Sequence, residues 1–199
     1  MDFTSDNASG IAPEILEALS RANTGTAASY GADEFTARLR KRFCDVFEHE
    51  VEVFPVVTGT AANALALAAI APPYGAVFCH ELAHVHLDEC GAPEMFSGGA
   101  KLVPVGGADA RIDAALLQAE LAKLPAGVVH HVQPAALTLT QSTELGSVYR
   151  NEDIAALAAR SVMEGAIGFS TNRMQFHRLP DGRAIPGTFA RVSELREIT

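Results

Sequence analysis

Residues 51–63 read Val51-Glu52-Val53-Phe54-Pro55-Val56-Val57-Thr58-Gly59-Thr60-Ala61-Ala62-Asn63. The β-branched and aromatic run at 51–57 predicts a strand, Thr58-Gly59-Thr60 a tight turn, and the Ala/Leu-rich residues 61–70 a buried helix. Strand, glycine turn and helix follow without a gap, which is the unit from which α/β layers are built. A helix that opens straight from such a turn offers backbone N–H groups with no intrahelical partner, together with the positive end of its dipole, and both suit a phosphate. Gly59 lets the backbone approach an anion, and the Thr60 hydroxyl can donate to it. A plainer reading fits the same tripeptide: Gly59 closes the turn and Thr60 caps the helix.

Working outward, Pro13 suits the first turn of a helix through Ile15, Leu16 and Leu19. A second helix carries Phe35, Leu39, Phe43, Val46 and Phe47 on one face and Arg38, Arg40, Lys41 and Arg42 elsewhere. Residues 76–79, 101–105 and 127–133 are short strand candidates, residues 112–124 a helix and residues 151–160 another. Alternating strands and helices predict an α/β fold with a mainly parallel sheet. After about residue 160 the texture changes to Gly165-Ala166-Ile167-Gly168-Phe169-Ser170-Thr171 and a turn-rich Leu179-Pro180-Asp181-Gly182 stretch, so a boundary is placed there, dividing 1–160 from a poorly packed tail at 161–199.

Composition narrows the function. With 24 acidic against 15 basic residues the formal charge is −9, which repels phosphate backbones and anionic lipids and argues against nucleic acid as a partner. The opening Met1-Asp2-Phe3-Thr4-Ser5-Asp6 has neither a basic nor an apolar leader segment, and no apolar stretch is long enough to span a bilayer. A soluble, cytoplasmic protein is the expectation. Cys44, Cys79 and Cys90 form no Cys-x-x-Cys pair and read as buried thiols.

His80, His84 and His86, beside Asp88 and Glu89, raise the question of a metal, since His-x-His next to carboxylates can supply ligands. Cys79 and Cys90 add no recognised ligand spacing, and His130 and His131 are distant in the chain. Surface or hydrogen-bonded core histidines are the alternative, and a flat ring packed on a cofactor is a third reading. No metal ligands are assigned.

Taken together these segments resemble the low-specificity threonine aldolases, within the beta-eliminating lyase group of pyridoxal-phosphate (PLP) enzymes of the aspartate-aminotransferase fold type. Asp2-Phe3-Thr4-Ser5-Asp6-Asn7 is similar to the family's start, where a serine helps hold the substrate carboxylate; the resemblance gives that role to Ser5. Tyr30-Gly31-Ala32-Asp33 resembles a Tyr-Gly-Asp-Asp segment near the active site, which points to Tyr30 as a substrate-side residue. Thr58-Gly59-Thr60-Ala61-Ala62-Asn63 resembles the family's phosphate turn, giving Gly59 and Thr60 to the cofactor. Ala83-His84-Val85-His86 matches the place of a histidine that lies over the pyridine ring and contacts the substrate hydroxyl, so His84 takes both the cofactor-binding and the catalytic role. His130 resembles a histidine lent to a neighbouring active site in the family's tetramer, with His131 as the other candidate.

The resemblance covers about residues 1–160 and implies cleavage of β-hydroxy-α-amino acids such as threonine to glycine and an aldehyde, in a homo-oligomer. It implies a Schiff-base lysine and an aspartate on the pyridine nitrogen as well. Lys41, Lys101 and Lys123 are the only lysines, and none stands in a matching context, so the large PLP-transferase-type domain is read as incomplete and its activity as impaired or absent. In the tail, Glu164-Gly165-Ala166-Ile167-Gly168-Phe169-Ser170-Thr171-Asn172-Arg173 and Asp181-Gly182-Arg183-Ala184-Ile185-Pro186-Gly187-Thr188-Phe189-Ala190 resemble the N-acyl-D-amino-acid deacylases, which are amidohydrolases. That leaves two other functions open: a metal-dependent hydrolase using His84, His86 and the tail, and a non-catalytic pseudoenzyme module that assembles with an intact homologue.

Overall fold

The computed structural model describes residues 10–163 and 168–169. Its contacts divide the chain into two compact units, Met1–Phe54 and Pro55–Thr199. Ser5 and the deacylase-like motifs after residue 169 lie outside the described residues.

In the first unit, α1 (Pro13–Ala22) starts at its proline and carries the Glu17–Arg21 ion pair along its exposed side. Helix α2 (Glu34–Phe47) is capped by Asp33, whose carboxylate accepts the Thr36 N–H at 2.9 Å and the Thr36 hydroxyl at 2.8 Å. No described residue of this unit is buried, and Ile15, Leu16 and Leu19 remain exposed. The strand expected at 51–57 is absent, although its β-branched and aromatic residues suggested it. A strand needs a neighbour, and here the backbone of Val51 is taken by α2 side chains instead: its N–H reaches Cys44 Sγ and its carbonyl accepts from Arg40 Nε. Pro55 also has no N–H to give to a ladder.

The second unit is built on a parallel sheet of β1 (Gly75–His80), β2 (Lys101–Val105), β3 (Gln133–Leu137) and the two-residue β4 (Gly168–Phe169), in the order β2-β1-β3-β4. β1 is central and buried throughout. Its alternate side chains feed two cores. Val77 and Cys79 pack with Leu67 and Ala71 from α3 (Gly59–Ile70) and its end, and with Ala83, Val85 and Ala100. Ala76 and Phe78 pack with Leu117 and Leu121 of α6 (Ala114–Ala122) and Leu157 of α7 (Asn151–Met163). Helices thus cover both faces, the arrangement expected of a sheet whose strands are apolar on both sides. Gly75 permits the close β1–β3 approach, because a Cβ there would sit 2.9 Å from that of Ala135.

Several boundaries moved. The turn at 58–60 is the start of α3 itself, and its cap is Thr58, not Thr60: the Thr58 hydroxyl accepts the Ala61 N–H at 3.1 Å. The strand expected at 127–133 begins only at Gln133. Before it, Gly127 is left-handed (φ 81°) and the Gln133 amide folds back to bind the Gly127 N–H and the Val128 and His131 carbonyls, which holds the segment in turns. Two short helices, α4 (His84–Leu87) and α5 (Ala92–Phe96), were not anticipated. Helix α7 runs through residue 160, and Gly168 and Phe169 beyond it pair with Ala136 and Leu137.

Candidate active site

In an open parallel sheet the connections leaving the strands' carboxyl ends create a crevice where successive connections depart to opposite faces. That happens beside β1. The link from β1 to β2 carries Ala83 and Val85 into the α3 side, while the link from β2 to β3 runs through α6 on the other side. His84 lies four residues past the end of β1, opening α4.

The loops at this end are tied to one another. His80, buried, accepts the Leu82 N–H at Nδ1 (3.0 Å) and gives its Nε2 hydrogen to the Gly107 carbonyl (3.2 Å), so its ring serves the fold. The Gly107 position admits no side chain, since a Cβ would collide with the Arg111 carbonyl. From the loop after β3, the Thr143 and Ser147 hydroxyls both donate to the Asp109 carbonyl, and the Glu144 carboxylate accepts the backbone N–H of His84 at 2.9 Å.

The His84 ring is held separately. Its Nδ1 lies 2.9 Å from Oε1 of Glu89, and the Asn63 side-chain amide donates to that same oxygen at 2.7 Å. Glu89 is wholly buried at the side chain while His84 is 56% exposed, so the ring stands at the surface on a buried acidic support. Asn63 is one turn along α3 from Gly59, and residues four apart share a helix face. The start of α3 and the His84 ring are therefore linked through one carboxylate oxygen. Thr58 uses its hydroxyl on Ala61 and its carbonyl on Ala62, whereas the Gly59 and Thr60 amides have no partner among the described residues. A Cβ on Gly59 would meet nothing within 4 Å. Two free N–H groups beside open space, on a helix of 12 residues, fit a phosphate.

Tyr30, in the first unit, is fully exposed and left-handed at φ 61°, an unusual conformation for a bulky residue. His130 and His131 pack edge to face in the turns before β3, at the amino end of the strands, opposite the end that carries His84. Among the described residues no group of three or more His, Cys, Asp or Glu is arranged to hold a metal. Of the cysteines only Cys79 is buried, its thiol pushed up to about 12 by burial, with the Glu94 and Glu144 carboxylates adding to it; Cys44 is half-buried and Cys90 exposed. Lys41, Lys101 and Lys123 are all exposed.

A model of the beta-eliminating lyase family matches residues 2–166. The chain belongs to the beta-eliminating lyase family. Members of this lyase family depend on PLP. Among its beta-eliminating lyase relatives, the low-specificity L-threonine aldolase of Pseudomonas aeruginosa is 45% identical over 167 residues, and that of a Pseudomonas species 45% identical over 157; each alignment covers 79% of this chain and 45% of the relative. The structure of Leishmania major threonine aldolase superposes with a TM-score of 0.74 at 26% identity, over 82% of this chain and 47% of that one. The chain spans less than half the length of each of these proteins.

Asn63 and Glu144 were not singled out from the sequence, and Glu89 only as a neighbour of the histidines. The signal for Asn63 was its place four residues after Gly59; Glu144 lies 60 residues from His84 and left no local trace.

Proposed function

We propose that this chain carries the cofactor-phosphate turn and the ring-facing histidine of a PLP-dependent aldolase that cleaves β-hydroxy-α-amino acids, threonine to glycine and acetaldehyde. The observation behind this reading is the pair of amides at Gly59 and Thr60, without a partner among the described residues, tied through Asn63 and Glu89 to His84 at the carboxyl end of β1. When bound, PLP supplies an electron sink for the carbon beside the amino group. Gly59 and Thr60 receive the phosphate. His84 would hold the cofactor with them and meet the substrate hydroxyl, Ser5 and Tyr30 would act on the substrate side, and His130 would serve a neighbouring site. The names of the Pseudomonas and Leishmania relatives support the substrate class.

Neither the anchoring lysine nor the acidic partner of the pyridine nitrogen has a matching counterpart in these 199 residues, so the polypeptide on its own is read as a weak or inactive lyase. Active sites shared between subunits make a homo-oligomer, or assembly with an intact homologue, part of the same proposal. No described helix is long and apolar enough to cross a membrane, and a cytoplasmic location is proposed with the rest. Residues 161–199 are read as a deacylase-like fragment joined to the lyase part at 1–160; sequencing across that junction tests it. The cofactor reading is tested by titrating the protein with PLP, with inorganic phosphate as competitor. Saturable binding that phosphate displaces is expected, and binding that ignores phosphate would count against the turn.

A further inference from the structure

We propose that Glu89 is a positioning residue: it fixes the tautomer of His84, so that Nε2 is left as the site's proton acceptor. A carboxylate can only accept, so the 2.9 Å contact at Oε1 requires the hydrogen of a neutral His84 ring to sit on Nδ1. Nε2, on the far side of the ring, has no partner among the described residues, and the side chain as a whole is 56% exposed. The main chain of His84 is held independently, by Glu144. Backbone and ring are thus each fixed, by carboxylates from two different loops.

Two features separate this from an incidental contact. Glu89 is buried, and its Oε2 has no hydrogen-bond partner among the described residues. Burying a carboxylate with one oxygen unsatisfied costs free energy that an apolar side chain of similar size would avoid. Asn63 donates to the same oxygen that His84 uses, which couples the ring's orientation to the helix whose first amides face the phosphate site. If a substrate hydroxyl transfers its proton, its O–H bond breaks, an Nε2–H bond forms, and the imidazolium is faced by the Glu89 charge. That consequence rests on the aldolase reading; the tautomer does not.

The test needs no cofactor. The full chain is labelled with 15N-histidine, His84 is assigned by its absence from His84→Gln, and long-range proton–nitrogen correlations are read well above imidazole's ordinary pKa of about 6.5. We expect His84 in the Nδ1–H form. Glu89→Leu, which has no acceptor, is expected to lose that form as the dominant population, and Glu89→Gln, whose amide oxygen can serve both donors, to restore it. A wild-type ring carrying Nε2–H, or a folded Glu89→Leu with an unchanged His84 pattern, overturns the proposal. Should Glu89→Leu fail to fold, the wild-type pattern and Glu89→Gln still decide. With PLP added, Glu89→Leu is expected to lose induced circular dichroism of the cofactor while inorganic phosphate binds as before; loss of phosphate binding in the wild type would instead sink the aldolase reading and leave the tautomer result standing.

Discussion

The phenol oxygen of Tyr149 accepts the backbone N–H of Ile112 at 2.6 Å, across 37 residues of chain. This bond lies inside the core between β1, α6 and α7, and it ties the start of α6 to the loop that follows β3. Replacing Tyr149 with Phe leaves a buried N–H without a partner, a loss of about 1–3 kcal/mol. Burial also pushes the Tyr149 hydroxyl up to about 12. Its pKa is raised on folding, so the unfolded chain ionises first, near pH 10, and stability falls from there to about pH 12. The total is about 3 kcal/mol, an order-of-magnitude figure. Urea melts of wild type and Tyr149→Phe at pH 8, 10 and 11 check both effects; the variant should start lower and lose less stability between pH 10 and 11. A variant with the same alkaline slope would contradict the assignment.

Thiol reactivity should separate the cysteines. Cys79 is buried and its thiolate strongly disfavoured, while Cys90 is exposed. At pH 8 an alkylating reagent is expected to modify Cys90 in the folded protein and Cys79 only after denaturation, as read by peptide mass spectrometry. Equal native rates at the two positions would show that the face of β1 under α3 is open.

At the start of α3, stability and cofactor binding should come apart. Space around Gly59 is open, so Gly59→Ala is expected to fold as well as wild type while weakening PLP binding, because the added methyl occupies room beside the free amides. Thr58→Ala removes the cap and should cost about 1 kcal/mol of stability. Melting curves and PLP titrations on the two variants check this, and unchanged PLP affinity in Gly59→Ala would argue against phosphate at that turn.

Threonine cleavage by the purified 199-residue polypeptide with added PLP is expected to be undetectable, or far below that of an intact aldolase. On the proposed reading the polypeptide lacks the Schiff-base lysine, and loss of a proton-transfer group commonly costs about 100- to 10,000-fold. Acetaldehyde release coupled to a reductase is the assay, and turnover near that of a full-length enzyme would overturn the expectation.

Much of the layer structure was legible because it is local. The three-to-four spacing at Ile15, Leu16 and Leu19 and at Phe35, Leu39 and Phe43 gave helices where α1 and α2 lie, and residues 101–105 were read as the strand they form. The run at 51–57 misled for the opposite reason: β-branched and aromatic residues show that a segment can pair, and only neighbouring strands decide that it does. Residues 127–133 misled because a single side chain, Gln133, captured the backbone into turns.

From the sequence alone came the α/β class and a helix following directly on the Thr58-Gly59-Thr60 turn, since residue type and spacing suffice for these; His84 was chosen through the family resemblance. Only the folded chain decided which nitrogen of His84 is engaged and which has no partner among the described residues. That depends on Asn63, Glu89 and Glu144 converging from separate elements, and a hydrogen bond is set by distance in space, which spacing along the chain does not specify.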